Sequence, residues 1–497
     1  MTDREKPSVR RPAKKLETAK KAVGAETQSG AAGAKFIRMR KRDVRRAAFD
    51  LARKEPLRSA KTGLTVLQGS VLIGIGLCLL VGLIMDAAGF VKFGYGFLQL
   101  VFGFAILFRA LLLGVHFWPK PNFAENQDDE GQDMPVYTIL LPVYHEAGML
   151  PKLADSISRI DYPKSLLDIK LLLEGDDEAT LRVARKLELG PEWEVLIVPD
   201  IGPRTKPKAL NVGLARARGS LVTIYDAEDR PHPDQLKAAV RAFACGGEDL
   251  GCVQAPLGVY NAGQNWLTRQ FSLEYNAHFR VILPALTRLG LAFPLGGTSN
   301  HFRKSALGTC RGWDPYNVTE DADLGFRLAE KGWRSGVISP PTMEEATAGL
   351  APWLRQRSRW IKGFLQTLLV HTRGQLPGGR PKQAFSFFAV LGIAVLSAFS
   401  HRFLLLGAVL CLACWPLGGP PPAMLDIILA GSGTLLALAL LQVGSRAAGQ
   451  AVRGGMMLSS IGYWPLQTWA AVQASIDLFV RPFHWAKTDH GHSFKSQ

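Results

Sequence analysis

The sequence predicts an α/β domain with a mainly parallel sheet, set between two groups of membrane-crossing helices. Long apolar stretches occur on both sides of a water-soluble block of some 240 residues. Within that block, apolar strands alternate with helical segments, the pattern of a sheet covered on both faces. The chain has 497 residues, well above the roughly 100–200 residues of one ordinary domain.

The first part of the chain holds most of its charge. The formal net charge is +17, and residues 1–62 carry 19 Lys and Arg against 7 Asp and Glu. A nucleic-acid-binding body is therefore not expected, because the rest of the chain is close to neutral. Residues 36–58 fit two interpretations equally: an amphipathic helix lying on anionic headgroups, or a solvated flank that orients the chain in the membrane.

Six stretches approach the roughly 20 apolar residues that a bilayer crossing requires. Two precede the soluble block, at 65–85 and at 94–118, the second interrupted only by Arg109. Four follow it, at 384–400, 402–416, 424–443 and 456–479. Since basic flanks remain in the cytoplasm, the soluble block is expected on the cytoplasmic side of the cell inner membrane.

These observations divide the chain into five parts. The expected parts are a basic arm (1–62), two transmembrane helices (63–118), a soluble α/β domain with interfacial helices (119–375), about four transmembrane helices (376–480) and a cytoplasmic tail (481–497). The tail residues Trp485, Lys487, Thr488, His490 and Gly491 would fold back as a gate over a bound ligand or, equally, form a disordered basic tail.

Acidic side chains follow the strands of the soluble block. They occur at 174–177 after IKLLL and at 226–229 after SLVTIY, where a parallel sheet binds its ligands. No GxGxxG follows the first strand and the chain has no GxxxxGK[ST], so dinucleotide and P-loop sites lose their main support. Clustered carboxylates favour a divalent cation shared with substrate phosphates.

Several motifs occur in a fixed order along the block. They are KPKALN with Lys206, the DxD-type Asp226-Ala227-Glu228, the loop 296–300, the triplet Thr319-Glu320-Asp321, the QxxRW element Gln356, Arg359 and Trp360, and the tail WAKTDHG. In this order the chain resembles the membrane-embedded family 2 glycosyltransferases, which include bacterial cellulose and other β-glucan synthases. The resemblance covers about residues 135–370 and the helices on either side.

The resemblance implies a GT-A fold, a Rossmann-like domain that binds a UDP-sugar and inverts its anomeric carbon. Asp321 would be the general base, with Glu320 beside it in the catalytic triplet. Mg²⁺ or Mn²⁺ would be held by Asp226 and Glu228, with Asp229 as a substitute for Glu228. Donor and acceptor would be bound by Glu174, Asp177, Lys206, Asp226, Gln356, Arg359 and Trp360. Glu228 and Glu174 stand where the family usually has Asp, which lengthens both side chains.

Two functions follow, and the first is the main prediction. It is an inverting hexosyltransferase that extends a β-linked exopolysaccharide from UDP-glucose and exports it through the helices, with accessory export or regulatory subunits as further partners. The alternative is a non-processive transferase that glycosylates a lipid carrier or membrane glycolipid. A transporter or inactive scaffold is disfavoured because the acids of all three motifs are present.

Overall fold

The structure is a computed structural model that describes residues 27–29, 33–118, 134–373, 381–418 and 423–483. The predicted gate in the tail, from Trp485 to Gly491, lies outside the described residues.

Nine of the described strands form one sheet at the centre of the α/β domain, in the order β1-β2-β5-β4-β3-β6-β10-β8-β11, and β7-β12-β9 form a small second sheet. The strands are β1 Thr27–Ser29, β2 Lys35–Arg38, β3 Tyr137–Val143, β4 Leu167–Glu174, β5 Trp193–Val198, β6 Leu221–Ile224, β7 Arg230–Pro231, β8 Leu250–Gln254, β9 Leu257–Val259, β10 Asn300–Arg303, β11 Arg334–Val337 and β12 Thr342–Glu344.

The central strands are apolar and pair in parallel. β3 lies beside β4 with Ile139 opposite Ile169 and Leu141 opposite Leu171. Both strands are buried along almost their whole length, as expected of a parallel sheet that helices cover on both faces. β10 runs antiparallel to β6 and β8, which makes the sheet mixed. The predicted α/β domain with a mainly parallel sheet is confirmed.

The described α-helices pack against this sheet and against one another. They are α1 Lys41–Lys54, α2 Val66–Met85, α3 Ala87–His116, α4 Leu150–Ser158, α5 Glu178–Lys186, α6 Lys206–Leu214, α7 Gln235–Cys245, α8 Trp266–Ala277, α9 Leu283–Arg288, α10 Lys304–Thr309, α11 Glu320–Glu330, α12 Leu350–His371, α13 Pro381–Ser386, α14 Ile393–Cys414, α15 Met424–Ala447, α16 Gly454–Leu458 and α17 Ser460–Val480.

Three helices in the described part of the chain, α2, α3 and α15, are long and apolar enough to cross a membrane. The prediction of apolar helices before and after the domain is confirmed. The predicted break between spans at 401–402 is absent, because α14 continues through it from Ile393 to Cys414. His401 and Arg402 do not interrupt a helix as Pro or Gly would, so polarity alone was a poor sign of a helix end.

Part of the basic arm belongs to the α/β domain. β2 pairs in parallel with β5 at the edge of the sheet, and α1 packs against α6 with Val44, Ala48 and Leu51 buried. An ion pair of 2.8 Å joins Glu55 to Arg311 on the domain. Neither interpretation of residues 36–58, a helix on headgroups or a solvated flank, describes this packing. α2 and α3 lie between the arm and the domain along the chain, so both ends of this helix pair lead into the same α/β domain.

Helix α12 connects the domain to the later helices. It packs along α17, with the fully buried Trp353 donating a hydrogen bond of 3.1 Å from its indole nitrogen to the hydroxyl of Tyr463. At the other end of α12, the amide of Gln68 on α2 donates to the backbone oxygen of Leu369 at 2.7 Å. The QxxRW element is therefore held between the sheet and the apolar helices.

Candidate active site

A cavity of about 650 Å³ lies between the ligand edge of the sheet and the apolar helices. Among the described residues, nine carboxylates and five Lys or Arg side chains line it. We call its two ends the polar limb, lined by Glu174, Lys206, Asp226, Glu228, Glu320, Asp321, Glu344 and Arg359, and the apolar limb, lined by Phe102, Ile106, Leu112, Ile393, Ala394, Val395, Gly433, Leu436, Ala437 and Leu440.

Lys206 lies at the centre of the polar limb, at the first position of α6. Its ammonium contacts Asp226 at 2.5 Å and 2.7 Å and donates to the backbone oxygen of Gly297 at 2.6 Å. Burial alone would lower the pKa of Lys206, but the nearby carboxylates, Asp226 first, outweigh it and raise this pKa. A methyl group added at Gly297 would lie 3.2 Å from a carboxylate oxygen of Asp321, so the same loop brings Asp226 and Asp321 together.

Glu320 and Asp321 lie in the first turn of α11, where acidic side chains interact favourably with the helix dipole. Thr319 precedes them without a side-chain capping bond, and Asp321 accepts a hydrogen bond of 2.8 Å from the backbone of Ala322. Burial raises the pKa of both acids, and the charge of Asp321 adds to the rise for Glu320. Both line the cavity, so this pair is poised to accept protons there.

The DxD-type element forms the turn that follows β6. Asp226 and Glu228 line the cavity, and burial followed by repulsion from Asp226 raises the pKa of Glu228. Asp229 does not line the cavity and is 1% exposed. One of its oxygens accepts from the backbone of Asp226 at 2.7 Å and from the hydroxyl of Thr298. Asp229 therefore holds the turn from behind.

Of the two predicted acids at the end of β4 and just after it, one lines the cavity and the other does not. Glu174 lines the cavity and forms an ion pair of 2.8 Å with the buried Lys208, while burial raises its pKa. Asp177 caps α5 by accepting from the backbone of Thr180 at 3.1 Å, and it accepts from the backbone of His145 at 2.6 Å. Asp177 is not among the cavity-lining residues.

The QxxRW residues fall on one side of α12 because positions three and four apart share a helix face. All three line the cavity. The side-chain oxygen of Gln356 is buried and has no hydrogen-bond partner among the described residues. The ring of Trp360 stacks on Tyr275, with centroids 6.3 Å apart, and lies 4.5 Å from the guanidinium of Arg357. Protein side chains thus already pack against the indole of Trp360, which was predicted to bind the donor or the acceptor.

Sequence reasoning missed Glu344 of the polar limb and its neighbour Glu345, which also lines the cavity. Burial, together with the charge of Glu228, raises the pKa of Glu344 to about 8. Like the other acids of the site, these two occur at the end of a strand, since Glu344 is the last residue of β12. That strand has only three residues and follows a Pro-Pro pair, which hid it from a search for alternating strands and helices.

The donors of the polar limb fit a divalent cation shared with a ligand better than a cage made of protein alone. No three His, Cys, Asp or Glu side chains in the described parts of the chain are grouped so that they could hold a metal ion. Carboxylates nevertheless outnumber Lys and Arg along the cavity by nine to five. Mg²⁺ typically binds one or two carboxylates and completes its shell with phosphates and water.

Residues 135–363 match the family described as "Glycosyltransferase like family 2". The match supports the predicted family 2 glycosyltransferase domain over these residues, and the predicted GT-A fold is confirmed. The prediction that apolar helices flank this domain agrees with α2 and α3 before it and α15 after it.

The curated relatives include three proteins named beta-monoglucosyldiacylglycerol synthase. Those from Trichormus variabilis and Synechocystis are 27% and 28% identical over 275 and 302 residues, or 53% and 56% of this chain. The chain spans 57% and 62% of the length of those two relatives. The name of these relatives is that of an enzyme that glycosylates a lipid. The main prediction, a polymerising and exporting β-glucan synthase, is therefore wrong.

Two solved structures are similar to this chain at lower identity. A mannosyltransferase from Pyrobaculum calidifontis, in complex with GDP-Man and Mn²⁺, is 18% identical with a TM-score of 0.43, covering 76% of this chain and 99% of its own. S. aureus TarS 1–349 in complex with UDP-GlcNAc is 12% identical with a TM-score of 0.37, covering 71% and 97%.

Proposed function

We propose that this chain transfers a hexosyl group from a nucleotide sugar to a hydroxyl group of a membrane lipid, with inversion at the anomeric carbon. One observation carries the proposal: the carboxylates at the sheet edge and the apolar faces of α3, α14 and α15 line the same cavity. A hydroxyl attached to acyl chains could reach the polar limb while its chains remain on apolar side chains. The names of the curated relatives favour a lipid acceptor and glucose as the sugar.

The polar limb would bind the nucleotide sugar. Glu174 would accept hydrogen bonds from the nucleoside, and Lys206 would place its charge beside the diphosphate. Arg359, which shares the cavity with these groups, has the forked donors that suit a phosphate. The buried oxygen of Gln356 would accept a hydrogen bond from a sugar hydroxyl, which would satisfy an atom that has no partner among the described residues.

Asp226 and Glu228 would hold a divalent cation, Mg²⁺ or Mn²⁺, together with the diphosphate. Such a cation, when bound, would neutralise the negative charge that builds up on the leaving diphosphate. Asp229, which does not line the cavity, would keep Asp226 in position through the hydrogen bond to its backbone.

Asp321 would act as the general base for the lipid hydroxyl. The hydroxyl oxygen forms a bond to the anomeric carbon, its proton passes to Asp321, and the bond from that carbon to the diphosphate breaks with its electron pair on the diphosphate. Burial favours this role because it raises the pKa of Asp321. Glu320 lies buried beside it, and burial followed by the charge of Asp321 raises the pKa of Glu320.

The charge of the arm indicates the side of the membrane from which the nucleotide sugar would enter. The arm and the domain pack together, and the basic residues of the arm favour the cytoplasmic side for both. We therefore propose that the sugar nucleotide enters from the cytoplasm of a cell whose inner membrane contains α2, α3 and α15.

The experiment is a product analysis with the purified full-length chain in lipid vesicles. UDP-[¹⁴C]glucose, MgCl₂ and mixed membrane lipids are supplied, and the label is separated into organic-phase lipid, high-mass polymer and free glucose. We expect the label in a glycolipid that carries one or a few sugars, and no label in the high-mass polymer fraction. Label only in polymer, or label in neither lipid nor polymer with any nucleoside-diphosphate hexose, would overturn the proposal.

A further inference from the structure

Arg109 is a cation inside the apolar part of the cavity. It lies on α3, one of the helices long and apolar enough to cross a membrane, and it lines the cavity between Phe108 and Leu112. Among the described residues it has no hydrogen-bond or ion-pair partner. An isolated cation is costly in apolar surroundings, and ionisable residues within membrane helices usually mark a functional site.

The other cations of the cavity have acidic neighbours. Lys206 contacts Asp226 at 2.5 Å and Arg357 contacts Glu274 at 2.7 Å. Arg204 contacts Asp176 at 3.1 Å, and Arg359 lies within the field of Glu320, Asp321 and Asp226. Arg109 therefore differs from the rest in having its positive charge unmatched by any described acid, which makes an anionic ligand group the natural partner.

The position of Arg109 along α3 indicates which part of a ligand it would meet. Arg288 on the domain donates to the backbone oxygens of Val115 and His116 at 2.6 and 2.8 Å, which fixes the end of α3 at the domain. Arg109 lies six residues before Val115, or roughly 9 Å along a helix. Phe102 and Ile106 line the cavity still further from the domain.

The order of groups along the cavity is thus carboxylates, a cation and then aliphatic and aromatic side chains. A glycerophospholipid has the complementary order of headgroup hydroxyl, phosphate and acyl chains. His278, on the segment His278–Ile282 that packs against α3, lines the same cavity and could add a hydrogen bond. A neutral diacylglycerol has no group that would match the charge of Arg109.

We propose that Arg109 binds the phosphate of the acceptor, and hence that the acceptor is an anionic, phosphate-bearing lipid with a free headgroup hydroxyl. The position of that hydroxyl at Asp321 rests on the proposed function, whereas binding of the phosphate by Arg109 does not. A forked guanidinium suits a phosphate because it donates two parallel hydrogen bonds.

The test measures lipid binding rather than turnover. The full-length chain is purified in dodecyl maltoside, which carries no phosphate, and is exposed to photoactivatable phosphatidylglycerol or to photoactivatable diacylglycerol with the same acyl chains. We expect phosphatidylglycerol to label the wild type about tenfold more than diacylglycerol, because only the phosphate accepts charge-assisted hydrogen bonds from the guanidinium. Arg109→Gln should remove most of that difference, and Arg109→Lys should retain part of it.

Two controls make the result specific. Lys92→Gln removes an exposed cation from the same helix and should change labelling less than twofold. Glycerol 3-phosphate, which has the phosphate without acyl chains, should not compete with the lipid. Complete competition would identify a site for soluble phosphates and would overturn the lipid proposal.

The outcomes separate this inference from the proposed function. Equal labelling by the two lipids, or undiminished phosphatidylglycerol labelling in an Arg109→Gln protein that still binds UDP, would overturn the phosphate site even if sugar transfer to diacylglycerol is found. Labelling that depends on Arg109, in a protein that transfers sugar to no lipid, would support the phosphate site and reject the proposed function.

Discussion

The two limbs of the cavity are built by different kinds of interaction. In the polar limb, Lys206, Asp226 and the loop at Gly297 are fixed by hydrogen bonds and ion pairs of 2.5–2.7 Å. The apolar limb is formed by aliphatic and aromatic side chains of three helices, with Arg109 as a charged exception. Directional contacts select particular atoms, whereas apolar packing selects volume and length. The polar limb should therefore be sensitive to single atoms and the apolar limb to bulk.

The largest expected effect is that of Asp321→Asn, which replaces one carboxylate oxygen in the polar limb with an amide nitrogen. We expect transfer to a lipid acceptor to fall about 10³-fold, in the range typical of a lost general base, while UDP affinity changes less than threefold. Radiolabelled lipid product and UDP binding are the two measurements. Glu188→Gln, on the exposed surface, is the matched control. An active Asp321→Asn protein would remove this residue from the mechanism.

A substitution in the arm should affect the polar limb without touching the cavity. Leu51 is 3% exposed on α1, which packs against the helix that begins at Lys206. Leu51→Ala should cost about 3 kcal/mol of unfolding free energy, as for other buried leucines, and should weaken UDP binding. Denaturant titration of tryptophan fluorescence provides the measurement. Leu57→Ala, at a position 50% exposed, should cost less than about 0.5 kcal/mol. Equal losses of unfolding free energy in the two variants would contradict the packing of α1 against the α/β domain.

A larger side chain in the apolar limb should weaken binding of the lipid acceptor and leave binding of the nucleotide sugar unchanged. Ala437 of α15 lines the limb, and Ala437→Phe would fill part of its volume. We expect the KM for a lipid acceptor to rise about tenfold, the value of roughly 1.4 kcal/mol of lost binding, while the KM for the nucleotide sugar is unchanged. Leu435→Phe, on the exposed side of the same helix, should alter neither constant. A change in the nucleotide constant would mean that the limbs are not independent.

The smallest expected effect is a pH dependence of stability. Glu344 has a pKa of about 8 in the folded chain, raised by burial and by Glu228 from its usual 4.5. The folded state therefore retains a proton that the unfolded chain releases, so this contribution is complete below pH 4.5 and is lost as the pH rises to 8. Glu344→Gln should raise Tm by about 3 °C at pH 8.5 and leave it unchanged at pH 4.5, without nucleotide or divalent cations. If the wild type and Glu344→Gln gave parallel curves of Tm against pH, the raised pKa of Glu344 would be contradicted.

The same division explains how much the sequence could predict. Short motifs at strand and helix ends identify most of the polar limb, and Lys206, Asp226, Asp321 and Arg359 do line one cavity. The apolar limb has no comparable motif, because composition identifies a membrane helix without indicating which face meets a cavity. Donor motifs also contain no information about the acceptor, and for that reason the polymer prediction was wrong.

Two misses have a local origin. Glu344 ends a strand of three residues, too short to give a periodic signal. The strand Lys35–Arg38 has only four residues, and its partner, Trp193–Val198, lies roughly 160 residues later in the chain. Only long-range pairing identifies it as part of the sheet, so charge dominated the interpretation of the arm.

The pairing of β2 with β5 has a consequence for biosynthesis. The ribosome releases β2 first, then both N-terminal apolar helices, and only later the strand that completes the ladder. At about 5–20 residues per second, β2 must wait some 8–30 s for its partner. If α2 and α3 enter a bilayer as proposed, the insertion machinery captures them before the sheet edge closes, and the α/β domain finishes folding while already tethered there.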